Sequence, residues 1–215
     1  MTCQLALRYG LASNLAGGTH HASPTQGAGF TILNDLAVAS RVLLHDTTNT
    51  IQRVLVIDCD VHQGDGTAQF IIPGLSTLSI HCQSNYPFRK AQSTYDIGLH
   101  DGCSDAEYLE IFQTAVQTAI TEVAPDFIIY DAGVDVYKED KLGKLQLTEH
   151  GIRSRDRWIL NRCVASKIPI AAVVGGGYDP TSIHALARRH AIIHEECAYI
   201  WRKYSMWTKG GREEK

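Results

Sequence analysis

The spacing of apolar positions along the chain switches repeatedly between two periods. Val54-Leu55-Val56-Ile57 is an unbroken, largely β-branched run, and it predicts a buried parallel strand over 53–59. Similar short runs predict strands over 75–80, 126–131 and 168–174. Between them, apolar residues recur at helical spacing. Leu5, Ala6, Leu7, Leu11 and Ala12 predict a helix over 2–15, closed by Gly17-Gly18. Asn34-Asp35 opens a second helix through about Leu44, with Ala37, Val38, Val42 and Leu43 as its apolar face. Ser104 and Glu107 have capping-box spacing ahead of a helix to Val123. Thr148 caps a helix through about Ser166, and a last helix is expected from about Pro180 to Tyr204. Strands that alternate with helices predict an α/β fold with a mainly parallel sheet and right-handed crossovers.

The unusual polar residues cluster just after the predicted strands, where open parallel sheets bind ligands. Asp58, Asp60 and His62 alternate, so an extended backbone points all three to one side. Gly64 and Gly66 then break the strand. Carboxylates so placed would repel one another and lose hydration, and a divalent cation is the simplest remedy. The ordinary alternative is loop capping or ion pairing. Asp60 and His62 supply one oxygen and one nitrogen ligand. A carboxylate from the loop after 126–131 would complete the open three-ligand pattern of catalytic zinc, and spacing alone leaves Asp135 and Asp140 as candidates. The donor set is also compatible with iron(II) or manganese. His20-His21, with carboxylates available, suits proton transfer. Tyr178 follows Gly175-Gly176-Gly177 at a strand end, where a phenol can donate to a developing oxyanion. Gly29-Phe30, Tyr86 and Phe88 lie in loops at the same edge and are candidate walls of a narrow slot.

Composition narrows the reading. A chain of 215 residues, 44% hydrophobic and 20% charged, suits one globular domain, expected over 1–207 with a polar tail at 208–215. The net charge of −3 gives no basic footprint for direct nucleic-acid binding. No apolar run reaches membrane-spanning length, and the first residues do not read as a signal peptide. Six cysteines without paired spacing read as reduced thiols of an intracellular protein.

The motifs Gly-Gly-Thr-His-His-Ala (17–22), Gly-Phe-x-x-x-Asn-Asp (29–35), Asp-x-Asp-Val-His-Gln-Gly-Asp-Gly-Thr (58–67), Asn-Tyr-Pro-Phe-Arg-Lys (85–90), Asp-Ala-Gly-Val-Asp (131–135), Glu-Asp-Lys-Leu-Gly (139–143) and Gly-Gly-Gly-Tyr (175–178) run in order across nearly the whole sequence. With them the chain resembles the histone deacetylase superfamily, and is most similar to bacterial and plant-type deacetylases related to class IV. The resemblance implies a three-layer α/β/α arginase–deacetylase fold. It implies Asp60, His62 and Asp140 as metal ligands, Asp140 taking the family position rather than Asp135. His20 and His21 match the tandem histidines, with Asp58 and Asp65 as their carboxylates, and Tyr178 matches the tyrosine that polarises the acyl carbonyl. Gly29, Phe30, Tyr86 or Phe88, Gly176 and Gly177 fall on the acyl-lysine channel. Asp58 and Ser79 match a monovalent cation site. The implied cofactors are Zn2+, with Fe2+ as an alternative, and a structural K+. The implied substrate is an acetylated protein or a small acetylated amine, with no membrane partner and a cytoplasmic, nuclear or organellar setting. Family members carry a sizeable segment before the tandem histidines, so an N-terminally incomplete fold with impaired solubility and activity is expected. Two other readings stand beside this one: a dinuclear manganese ureohydrolase of the same fold, and a catalytically incompetent chain that binds a partner.

Overall fold

The computed structural model describes residues 1–179 and 181–206. The tail expected at 208–215 and the helix start expected at Pro180 lie outside them. Six strands, β1 (Leu11–Ser13), β2 (Val54–Asp58), β3 (Leu75–Cys82), β4 (Tyr95–Leu99), β5 (Phe127–Asp131) and β6 (Ile170–Val173), form one sheet in the order β1-β6-β5-β2-β3-β4. Every pairing is parallel. The helices are α1 (Thr2–Tyr9), α2 (Asp35–His45), the short α3 (Asp65–Ala68), α4 (Asp105–Val123), α5 (Glu149–Ala165) and α6 (Ile183–Lys203).

Two cores explain the layers. All five residues of β2 are buried, because both sheet faces are covered. Val54 and Val56 pack with Phe127 and Ile129 against Ala6 of α1 and Leu36 and Leu43 of α2. Leu55 and Ile57 point the other way, into a larger core with Phe112 of α4, Ile159 of α5 and Ile193 of α6. Burying a side chain such as Ile57 contributes roughly 1.5–3 kcal/mol. The sheet is thus sandwiched between α1–α2 and α4–α5–α6.

Four expectations need correction. The helix over 2–15 stops at Tyr9, because Gly10 adopts φ 87° and closes it with a left-handed cap; Leu11–Ser13 then pairs with β6 as a strand. Strand β4 falls inside a stretch read as irregular loop. It is an edge strand, and its half-exposed Tyr-Asp-Ile-Gly-Leu gives little apolar signal. On α2 the stripe Leu36, Ser40 and Leu43 faces the sheet, while Val38 and Val42 are exposed. The capping box on α4 does not form: Ser104 makes no side-chain cap, and Glu107 pairs with His100 instead. Thr148 does cap α5, accepting from the Gly151 N–H at 3.2 Å.

Candidate metal centre and pocket

The carboxyl ends of β2 and β5 lie side by side, with Asp58 in register with Asp131. From there the two chain segments turn toward each other. Asp60, His62 and Asp135 converge: His62 Nδ1 lies 2.9 Å from Asp60 Oδ1 and 3.2 Å from Asp135 Oδ2. All three residues are buried. The far oxygen of each carboxylate is held by backbone. Asp60 Oδ2 accepts from the Gly176 N–H at 2.9 Å, and Asp135 Oδ1 from the Val61 N–H at 2.8 Å. A Cβ at Gly176 would stand 2.4 and 2.5 Å from those two carboxylates, so glycine is required there.

Among the described residues the ligand atoms of Asp60, His62 and Asp135 gather within 4.8 Å, while Asp140, the carboxylate that the resemblance favours, stands in the adjoining turn. Asp140 Oδ1 accepts from the Leu142 and Gly143 N–H groups, and its Oδ2 from the Tyr178 N–H at 2.6 Å. Its carboxylate thus shapes the loop and holds the backbone of Tyr178. The donor set Asp60, His62 and Asp135 fits a divalent cation: two carboxylate oxygens and one imidazole nitrogen within 4.8 Å of one another. In the bare chain burial opposes charge on His62, yet the two carboxylates outweigh it and lift the imidazole to about 10, so the cluster retains a cation of its own.

The tandem histidines are held from three sides. Asn34 caps α2 by accepting from the Ala37 N–H, and its amide donates to the carbonyls of His20 and Ala22. Asp35 accepts from the N–H groups of Gly18 and Thr19, and the Thr67 N–H donates to the His20 carbonyl. His20 Nδ1 lies 2.7 Å from Asp58 Oδ2, and His21 Nδ1 lies 2.6 Å from Asp65 Oδ1. The two rings differ in charge preference. Burial disfavours charge on His20, but Asp58 and Asp60 outweigh it and raise the ring well above its ordinary value. Burial dominates at His21 and lowers it, with Asp65 only partly compensating.

His21, Gly29, Phe30, His62, Tyr86, Leu142 and Tyr178 line one pocket of about 330 Å³. Gly29 is needed where it stands: it adopts φ 53°, and a Cβ would come within 2.1 Å of the His21 ring. The Tyr86 ring meets His21 edge-on at 5.0 Å, and Phe30 lies 6.3 Å from Tyr178. Burial, then the charges of Asp60 and Asp135, push the Tyr178 phenol up, so it keeps its proton. Of the two candidate walls, Tyr86 lines the pocket, whereas Phe88 is fully exposed. Gly176 and Gly177 are required as glycines by close packing. The first braces Asp60, and a Cβ on the second would meet Val134, His190 and Leu186. Ser79 sits in register with Asp58, its hydroxyl near His81 Nδ1 and the Gly64 N–H.

Sequence reasoning missed Asp131 and Leu142. Asp131 is fully buried beside His20 and Asp58, and neither of its oxygens has a hydrogen-bond partner. Burial and Asp58 push its carboxyl well up, toward the protonated form. Its place at the end of an apolar run, like that of Asp58, was the available signal. Leu142 carries no chemical signal; only the turn that Asp140 builds brings it to the pocket.

Fold and site together define a parallel α/β protein with a candidate metal centre at the floor of an aromatic-walled pocket. The chain belongs to the histone deacetylase family: residues 2–193 match the histone deacetylase domain. The sheet between two helical layers is the arginase–deacetylase-like arrangement. It is 48% identical over 204 residues to an uncharacterized protein of Picosynechococcus sp., covering 94% of this chain and 67% of that one. It is 30% identical to histone deacetylase 2 of Arabidopsis thaliana over 87% of this chain and 49% of the relative. It is also 30% identical to the acetoin utilization protein AcuC of Staphylococcus aureus, over 84% of this chain and 49% of the relative. The chain thus spans two thirds of the first relative and about half of the other two. Among the described residues no helix is long and apolar enough to cross a membrane. All six cysteines are free.

Proposed function

We propose that this chain carries the catalytic centre of a metal-dependent amide hydrolase. The substrate is an acetyl or other acyl group on a protein lysine, as in histones, or on a small acetylated amine. The observation that carries this reading is the meeting of Asp60, His62 and Asp135 beneath a pocket that His21 and Tyr178 also line. A divalent cation on those three residues, Zn2+ or Fe2+, would supply Lewis-acid polarisation and acidify a water. His21 takes the proton from the attacking water: its Nδ1 is bonded to Asp65, so Nε2 is the free nitrogen, and the lowered ring is neutral at pH 7. Tyr178 keeps its proton and donates it in a hydrogen bond to the oxyanion. His20, held as a cation by Asp58, supports positive potential at the centre and can return a proton to the leaving amine. Gly29, Phe30, Tyr86 and Leu142 exclude water from the acyl arm. Asp58 and Ser79 are the proposed side chains of a structural K+ site.

The test is turnover of a fluorogenic acetyl-lysine peptide by the zinc-loaded chain, beside H21A and Y178F. The reading expects release of acetate that both variants suppress. Binding of the peptide with no turnover by the wild type would favour a binding module instead. Two metal ions per chain with urea-forming activity would favour the ureohydrolase.

A further inference from the structure

Arg155 is fully buried in the middle of α5, on the face of the sheet away from α1 and α2. Its guanidinium reaches the two segments that carry the candidate ligands. Nη1 donates to the Cys59 carbonyl at 3.2 Å and to the Gly133 carbonyl at 2.9 Å, and Nη2 donates to the Ala132 carbonyl at 3.2 Å. Nε donates to Asp156 Oδ1 at 2.9 Å, and that oxygen also accepts from the Tyr130 hydroxyl at 2.6 Å. The planar fork is therefore fixed in orientation and spans the ends of β2 and β5.

We propose that Arg155 is a positioning residue that sets the register of the β2-end and β5-end segments, and through them the spacing of Asp60, His62 and Asp135. Each bonded carbonyl belongs to a rigid peptide plane. Fixing the Cys59 carbonyl fixes the plane that leads into Asp60. Fixing those of Ala132 and Gly133 fixes the two planes that lead toward Asp135. The segments touch there: a Cβ on Gly133 would come within 2.6 Å of the Asp60 Cα. Lysine cannot replace the fork, because an ammonium is a point charge without planar geometry. The link to metal rests on the reading of Asp60, His62 and Asp135 as ligands; the alignment of the segments does not.

The test compares R155K with I159A, a buried apolar truncation on the same helix that provides a matched loss of packing. Hydrogen exchange on the metal-free full chain is read by mass spectrometry over 58–63 and 131–136. R155K is expected to exchange about tenfold faster than I159A there, and equally elsewhere on the sheet, as for local loss of order. Zinc affinity by chelator competition is expected to fall about 10–100-fold in R155K relative to I159A. If R155K does not fold, D156N gives the second reading. It keeps the guanidinium but removes the charge that orients Nε, and the same segment-specific exchange is expected at smaller amplitude. Exchange spread evenly over the chain in the variant that folds, with zinc affinity equal to that of I159A, overturns the proposal. A wild type that takes up no zinc, with R155K still loosening only the two segments, upholds the positioning role and removes the metal reading instead.

Discussion

The floor and the rim of the pocket are built on opposite principles. At the floor, Asp60, His62 and Asp135 are buried; backbone N–H groups pin both oxygens of Asp60 and one of Asp135. At the rim, Phe30 is 90% exposed and Tyr86 is 48% exposed. A buried carboxylate without partners is expensive, so the floor admits almost no variation in geometry. An exposed aromatic costs little to move. The floor should therefore govern chemistry and the rim should govern substrate affinity.

The sharpest way to break that contrast is His21→Ala, which removes the proposed base and should lower turnover by about 10²–10⁴-fold in a steady-state assay. Tyr178→Phe removes one donor to the oxyanion and should cost about 10²–10³-fold in kcat, with KM little changed. Retention of most activity by either variant would move the chemistry away from the floor. The pH profile separates the two histidines. Burial lowers His21 below 6.5, so the base stays neutral at pH 7 and the acid limb of kcat lies below pH 6.5. Asp65 raises the ring, so Asp65→Asn should move that limb further to acid. An acid limb above pH 6.5 would identify another base. The smallest effects belong to the rim. Tyr86→Ala should raise KM several-fold at nearly constant kcat, by loss of an apolar contact worth ~1 kcal/mol. Phe88→Ala, outside the pocket and fully exposed, should change stability by within about 0.5 kcal/mol and leave KM alone.

The same contrast explains what could be read in the sequence. Asp60 and His62 lie two residues apart just past the end of β2, so local sequence alone brings them together, whereas Asp58, the last residue of the strand, faces His20 and Asp131. The His20–Asp58 and His21–Asp65 pairs followed from the resemblance to the family, not from spacing. Spacing alone could not separate Asp135 from Asp140, because both lie in one loop whose path decides which carboxylate faces inward, and only the resemblance favoured Asp140. Tyr86 and Phe88 posed the same problem two residues apart. The four strands with apolar runs were legible; β1 and β4 were not, since a three-residue strand behind a helix-closing glycine and a half-exposed edge strand lack periodic signal. Arg155 did leave a trace. A charged residue at helical spacing between Ile152 and Ile159 is an arginine on an apolar face, and it required a buried partner.

The central proposal is that one divalent cation sits on Asp60, His62 and Asp135, the cluster the fold gathers, rather than on Asp60, His62 and Asp140. Zinc stoichiometry and affinity for the wild type, D135N and D140N test it directly. The account predicts one zinc per chain, a fall of at least about 100-fold in affinity for D135N, and retained binding for D140N. Loss of zinc in D140N with tight binding kept in D135N would contradict it.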